Sequence, residues 1–408
     1  MKAGPAESAS PAAPPFATEH DPRWRALRFL DAMRHAYPDA GPVRLPQSYA
    51  DQANLPRTGF TYDAALAVLA YLAVARTERV AGRPGNSEPL LHAAREIAGG
   101  LLHVQQGDPA YTDGRLRQAY ALDPYRPAAP VGIRRAASRA GDQAWAGIAL
   151  CELYRQGGDP LVLAGARRSG AWVRDSCRSG AALGGFRDGT AADGTPLMSV
   201  STADNAALVA LFDRLAGLTG ERVWLACAQH AAGFVRRMWS RGGRHFHAGS
   251  PDGRVPAAAA PSVAAQALSW LALGDPRTLG CLGWVLRTLR VTDPPARPTG
   301  ALPAGPRLTG IAADTAAGVV WLEGCAQYSL ALRHAPGGEL PAQAQLCTPI
   351  RAQMMLGRDQ TVDGRPLPEG CGVIAASSRL CLPAVPVRHV GASAWLVLAA
   401  CPANPLAD

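Results

Sequence analysis

Four acidic side chains stand where they could act together: Asp63 in "TYDAAL", Asp142 in "GDQAW", Asp204 in "STADN" and Glu323 in "WLEGCAQ". Aromatic, amide and imidazole groups accompany them: Tyr62, Gln143, Trp145, Asn205, Gln266, Trp321, Tyr328 and His389. A pair of carboxyls is the basic equipment for cleaving a glycosidic bond. One protonates the leaving oxygen while the other activates water or attacks carbon. Asp142 is the expected acid or base, Glu323 its partner, and Asp63 or Asp204 an orienting acid. The aromatic, amide and imidazole side chains are expected to bind substrate, with flat rings as platforms for a sugar.

Each residue also has a plainer reading. Asp63, Asp142 and Asp204 lie near helix starts, where an acid caps free N–H groups and meets the helix dipole for about 0.5–2 kcal/mol. For Asp142 both roles are expected together. Ser201 and Thr202 are alternative caps ahead of Asp204. Glu323 sits in an apolar run, so it is either paired with an arginine or lining a cavity with a raised pKa. Tyr62, Trp145, Trp321 and Tyr328 are either core packing or sugar platforms. His245 and His247 have strand-like spacing but no further ligand cluster beside them, so no metal is expected. GxSxG, GxGxxG and P-loop patterns are missing, and no cofactor is implied.

The elements that must position these residues are helices. "TYDAALAVLAYLAVART" (61–77) is followed by "LLHAAREIAGGLLHVQQ" (90–106), and four more apolar-periodic pairs follow at 141–156/160–177, 202–218/222–239, 262–273/276–289 and 318–335/340–356. Gly- or Asp-rich turns such as "GGDP" and "TGER" end the first member of most pairs. Five αα-hairpins at a period of about 50–60 residues mark a repeat architecture. The unpaired helices at 22–36 and 389–400 would make a sixth hairpin if the chain ends meet. The expectation is an all-α (α/α)6 barrel with inner first helices and outer second helices. Their first turns, with "SYADQAN" (48–54) and "AYTDGRLRQAY" (110–120), would converge on one mouth. Stretches at 184–189, 244–254 and 372–385 read as short strands or hairpins, and the Pro-rich 291–307 as a long loop or lid.

Composition sets the outer limits. The chain has 408 residues, in range for one large barrel. Residues 1–20 read as a disordered Pro/Ala-rich tail rather than a signal peptide, and 21–408 as the barrel domain. No uninterrupted apolar run is long enough to cross a membrane, and a cytoplasmic location is expected. The net charge is +9, yet Lys2 is the sole lysine, leaving 40 of 41 basic residues as arginine. That skew fits GC-rich coding. The arginines are dispersed, so neither nucleic acid nor membrane is an expected partner. The nine cysteines show no CxxC pair and read as buried thiols.

The ordered motifs resemble a bacterial (α/α)6-barrel group, mostly of uncertain substrate, in the six-hairpin glycosidase-like superfamily. Its "TYDNAL", "GDxAW", "STEHN", "LDxQ", "WWEGTAQ" and "GATAW" stretches are similar to "TYDAAL" (61–66), "GDQAW" (141–145), "STADN" (201–205), "VAAQ" (263–266), "WLEGCAQ" (321–327) and "GASAW" (391–395). Asp63, Asp142 and Glu323 match the group's acids. Ala203 and Ala264 replace two others, with Asp204 as a nearby substitute. The resemblance implies a carbohydrate-active, glycoside-hydrolase-like enzyme acting on a saccharide or glycosylated metabolite. Loss of two acids leaves open a cyclase, lyase or isomerase of specialised biosynthesis, and also a non-catalytic saccharide-binding protein. A DxDD motif for polyene cyclisation is absent.

Overall fold

The computed structural model describes residues 20–37, 44–122, 131–258, 260–293, 307–378 and 385–407. The expected tail therefore lies almost wholly outside the described residues. So do the body of the 291–307 run and Cys381.

Twelve α-helices follow one another among the described residues. The inner set is α2 (Thr61–Val80), α4 (Ala140–Gly157), α6 (Thr202–Thr219), α8 (Val263–Leu273), α10 (Leu322–Arg333) and α12 (Val390–Ala400). The outer set is α1 (Pro22–Arg34), α3 (Ser87–Gln106), α5 (Pro160–Ser176), α7 (Arg222–Arg237), α9 (Gly280–Thr288) and α11 (Glu339–Met354). The inner helices touch in a closed cycle in which α12 returns to α2. Each packs outward on a hairpin partner: α2 on α3, α4 on α5, α6 on α7, α8 on α9, α10 on α11, and α12 on α1. First and last helices form the sixth hairpin. This is an (α/α)6 barrel.

Sequence dictates which helix goes where. α12 is buried at every residue from Val390 to Ala399, and α2 from Asp63 through Ala75. A helix that is apolar all round belongs inside other helices. α7 buries one stripe, Trp224, Cys227, Ala231, Phe234 and Val235, and exposes Val223 and Leu225, as an outer helix must. The turns are marked by left-handed Gly158 (φ +70°) and Gly220 (φ +71°). The Asp159 carboxylate then caps α5 by accepting the Leu161 N–H at 2.9 Å, with Pro160 at the first helical position.

Every inner helix begins directly from a strand or a single bridge, which fixes its N-terminus at the mouth. Thr58–Phe60 leads into α2 and pairs with Ala119–Ala121, which pairs with Ile133–Arg135. Ser138–Arg139 leads into α4, Val200–Ser201 into α6 and Arg388–His389 into α12. Bridges at Ser262 and Trp321 precede α8 and α10. The strand at 189–190 pairs with 138–139 and 196–197, while 245–246 and 249–250 pair with separate partners rather than with each other. Val373–Ile374 pairs with Arg388–His389. The run read as a loop at 291–307 has a paired stem, since Arg290–Asp293 runs antiparallel to Leu308–Ile311. Burial of Leu308 and Ile311 anchors that stem against the barrel.

The opposite end is closed by the C-terminal segment. The buried Arg214 of α6 donates to Glu152 of α4 at 2.8 Å and to the Ala407 carbonyl at 2.6 Å. Asn404 donates to the Leu271 carbonyl at 3.0 Å. Every described cysteine is a free thiol, most of them buried. No described helix is long and apolar enough to cross a membrane.

Candidate active site

Position along each inner helix decides which side chains reach the mouth. The second residues of α2, α4, α6, α8, α10 and α12 are Tyr62, Gly141, Ala203, Ala264, Glu323 and Gly391. The third residues include Asp63, Asp142 and Asp204. Together with loop residues they enclose a cavity of about 480 Å3 lined by Tyr49, Phe60, Tyr62, Asp63, Gln118, Arg135, Asp142, Trp145, Ala203, Asp204, Ala264, Leu268, Trp321, Glu323, Gln327 and His389. That volume is in the range of small-molecule sites, roughly 300–1,000 Å3.

All four sequence-selected acids meet here, with Tyr62, Trp145, Trp321 and His389. The structure puts Gln143, Asn205, Gln266 and Tyr328 elsewhere. The three amides are fourth residues of their helices, and each clamps a returning loop by both its N–H and its C=O. Gln143 holds Leu116 (3.1 and 2.8 Å), Asn205 holds Phe186 (2.8 and 2.9 Å) and Gln266 holds Phe246 (2.6 and 2.9 Å). Cys325 and Ser393, fourth residues of α10 and α12, occupy the same position against the Ile311 and Val373 N–H groups. Each residue advances about 100° around a helix, so the fourth points away from a mouth that the second and third face. Tyr328 is buried in the core, its hydroxyl donating to the Leu282 carbonyl at 2.7 Å.

Asp142 does not cap α4. Arg139 holds the N-cap position without a side-chain bond. The Asp142 Oδ2 atom is buried with no hydrogen-bond partner. Burial drives its pKa well above the usual carboxylate range; Asp204 and Asp63 push the same way and Arg139 opposes them. Asp204 is also raised, by burial and then by Asp188, against Arg139 and a Ser201 hydrogen bond. Ser201, not Asp204, caps α6. Gly141 makes room for this crowding, because a Cβ there would lie 2.5 Å from Asp204 Oδ1.

Across the cavity Glu323 is held firmly. Its Oε1 accepts from the Tyr62 hydroxyl at 2.6 Å and from Gln327 Nε2 at 3.1 Å, and Trp395 Nε1 donates to the Tyr62 oxygen at 2.9 Å. Burial pushes the Glu323 pKa up to about 7, with His389 and the Tyr62 bond opposing and Asp63 adding. His389 Nε2 lies 3.0 Å from Asp63 Oδ1, and Nδ1 accepts the Ala392 N–H at 3.3 Å, 3.8 Å from Glu323 Oε2. That network assigns the ring proton to Nε2. Burial disfavours charge on the ring, but Asp63 and Glu323 outweigh it and raise the pKa. Tyr49 stacks on this ring at 4.2 Å. Gly391 is the second point of close approach: a Cβ there would be 2.7 Å from Asp63 Oδ1 and 3.2 Å from Glu323 Oε2.

Neither Asp142 nor Glu323 is bonded to an arginine among the described residues. The rings of His245 and His247 meet edge-on, 5.4 Å apart, away from the cavity. No group of three or more His, Cys, Asp or Glu among the described residues is arranged to hold a metal. Tyr49, Phe60, Gln118, Arg135, Leu268 and Gln327 were not among the residues picked from sequence, although Tyr49 and Gln118 fall in the two loops expected at the mouth.

The same (α/α)6-barrel fold occurs in solved structures. The chain is similar to a sugar epimerase from a ruminal bacterium, with a TM-score of 0.61 at 12% identity over 94% of this chain and 96% of that one. A family 76 glycoside hydrolase from a bovine Bacteroides thetaiotaomicron strain gives 0.60 at 12% identity over 94% and 77%. The cellobiose 2-epimerase of Spirochaeta thermophila gives 0.58 at 15% identity over 94% and 98%. By sequence, no family model and no curated protein matches the chain.

Proposed function

We propose that the protein is a carbohydrate-active enzyme that cleaves a glycosidic bond in the barrel mouth. Asp142 gives its proton to the leaving oxygen as the bond from the anomeric carbon breaks. Glu323, as carboxylate, deprotonates the attacking water or attacks that carbon itself, and the anomer released identifies which. Asp63 and Asp204 orient and tune this pair. Trp321 and Tyr62 stack on the sugar. The observation carrying the reading is the buried Asp142 oxygen that has no partner among the described residues, in a cavity whose other key acid accepts two hydrogen bonds at Oε1. Burial raises both carboxyls, and the difference in their hydrogen bonding is what divides them into acid and base.

A second reading, epimerisation or isomerisation of a sugar, is favoured by one feature, the Asp63–His389 pair. A carboxylate-oriented imidazole is a common proton-transfer device. Against it, both ring nitrogens are already engaged, by Asp63 and by the Ala392 N–H. Sugar epimerases and a glycoside hydrolase both occur among the similar structures.

The test is turnover of a panel of aryl glycosides and disaccharides in deuterium oxide. Released sugar without deuterium on carbon, abolished in Asp142→Asn and Glu323→Gln at unchanged Tm, is the expected result. Deuterium at a sugar carbon without cleavage would replace hydrolysis by epimerisation. Intact activity in both variants would end the carboxyl assignment.

A further inference from the structure

The strand Ile133–Arg135 forms the outer part of one cavity wall, held to Ala119–Ala121 and through it to Thr58–Phe60 at the start of α2. Side chains alternate along a strand. Arg134 accordingly enters a separate cleft with Tyr37, Asp51, Arg57 and Asp363, while Arg135 enters the mouth beside Gln118. Arg135 is exposed, and among the described residues no carboxylate forms an ion pair with it. Among the described residues it is the one arginine lining this cavity, and the acids there have other neighbours: Asp63 faces His389, Glu323 accepts from Tyr62 and Gln327, and the Arg139 charge acts on Asp142 and Asp204. Ala203 and Ala264 add uncharged methyls to the same cavity.

We propose that the substrate of this site is an anionic saccharide, its carboxylate, phosphate or sulfate group held by the Arg135 guanidinium at the rim. This rests on the saccharide reading above and adds the charge of the substrate to it. A planar guanidinium fork takes carboxylate or phosphate oxygens in two parallel bonds, and a side chain fixed on a paired strand holds that fork in register. Gln118 supplies a neutral donor alongside. Trp321 and Leu268 offer the apolar contact that the ring's carbon face needs.

Calorimetric titration of the whole chain with D-glucose, D-glucuronate, glucose 6-phosphate and glucose 6-sulfate tests this. At least one charged sugar is expected to bind about tenfold or more tightly than glucose, the increment of a charge-assisted pair. Glucuronate as the best ligand identifies a carboxylate, and an ester as the best ligand identifies that group. Arg135→Ala is expected to erase the preference, while Arg134→Ala, one residue away in the other cleft, retains it. Equal or tighter binding of glucose, or a preference that survives Arg135→Ala, overturns the inference and leaves the saccharide reading standing. Binding of none of the four overturns both. Arg135 is exposed and packs in no core, so a thermal melt of the variant should match the parent.

Discussion

The two ends of the barrel are built from the same six helices, and they treat charge in opposite ways. At the closed end Arg214, 2% exposed, is answered by Glu152 and by the Ala407 carbonyl. At the open end four acids crowd one cavity, and among the described residues a buried oxygen of Asp142 has no hydrogen-bond partner. A buried charge that is fully met holds a fold together, and removing one partner is costly. A buried acid left unmet costs stability, and it survives where a reaction needs it.

Variants can break or sharpen this contrast. The largest effect is expected for Asp142→Asn, about 100- to 10,000-fold in kcat, the usual contribution of a general acid. Its Tm should stay within a degree or two, because the amide has the carboxyl's shape and removes no hydrogen bond from Oδ2. Kinetics and calorimetry on the same preparation check both halves. Arg214→Ala is the mirror image, with about 3 kcal/mol of stability lost and the open end's chemistry untouched. Urea melts read the first, and kcat of the residual folded enzyme the second.

A third prediction concerns pH. Folded Glu323 keeps its proton up to about 7 against an ordinary 4.5. Between those values the folded state binds more protons than the unfolded one, so stability falls as pH rises through the window. The decline from this group is of order 3 kcal/mol. Glu323→Gln has no proton to lose, so its Tm should drop less than the parent's between pH 5 and 8. Parallel curves would contradict the assignment. Smaller again is Gly141→Ala, whose methyl meets Asp204 at 2.5 Å. Overpacking of this kind costs about 1–3 kcal/mol, and displacing Asp204 should shift the alkaline limb of the rate profile as well. Gln266→Ala, which releases the Phe246 loop and a bond to the Ser262 carbonyl, should cost about 1–2 kcal/mol and leave that limb in place.

The helix pattern made the barrel legible. Apolar periodicity with Gly and Asp turns repeats five times, and a sixth hairpin was the only use for the helices at 22–36 and 389–400. Short strands were legible only as the stretches 184–189, 244–254 and 372–385, which hold 189–190, 245–246, 249–250 and 373–374 in whole or part; others, such as Val200–Ser201, are too short to carry periodicity, and their pairing is set by partners distant in sequence, here Gly249–Ser250. At the mouth the four acids were visible as residues of unusual type in first turns. The amides Gln143, Asn205 and Gln266 share those turns, so only rotation around the helix separates a cavity residue from a loop clamp. One signal was available and passed over: glycine inside the first turn of "GDQAW" and "GASAW". It weakens a helix by about 1 kcal/mol and so marks close approach, here of Asp204 to Gly141 and of Asp63 to Gly391. Arg135 ends a short strand that nothing local assigns to the cavity, whereas Gln118 lies in the 110–120 loop expected there.

The central claim is that burial in the open cavity makes Asp142 hold its proton well beyond the ordinary aspartate range. Carbon-13 NMR titration of aspartate-labelled protein, with Asp142→Asn to identify the resonance, tests it without any substrate. The account predicts a carboxyl signal whose midpoint lies well above that of an ordinary aspartate. A signal titrating near the ordinary aspartate value of about 4 would show an ionised Asp142, and the division of labour between Asp142 and Glu323 would fall with it.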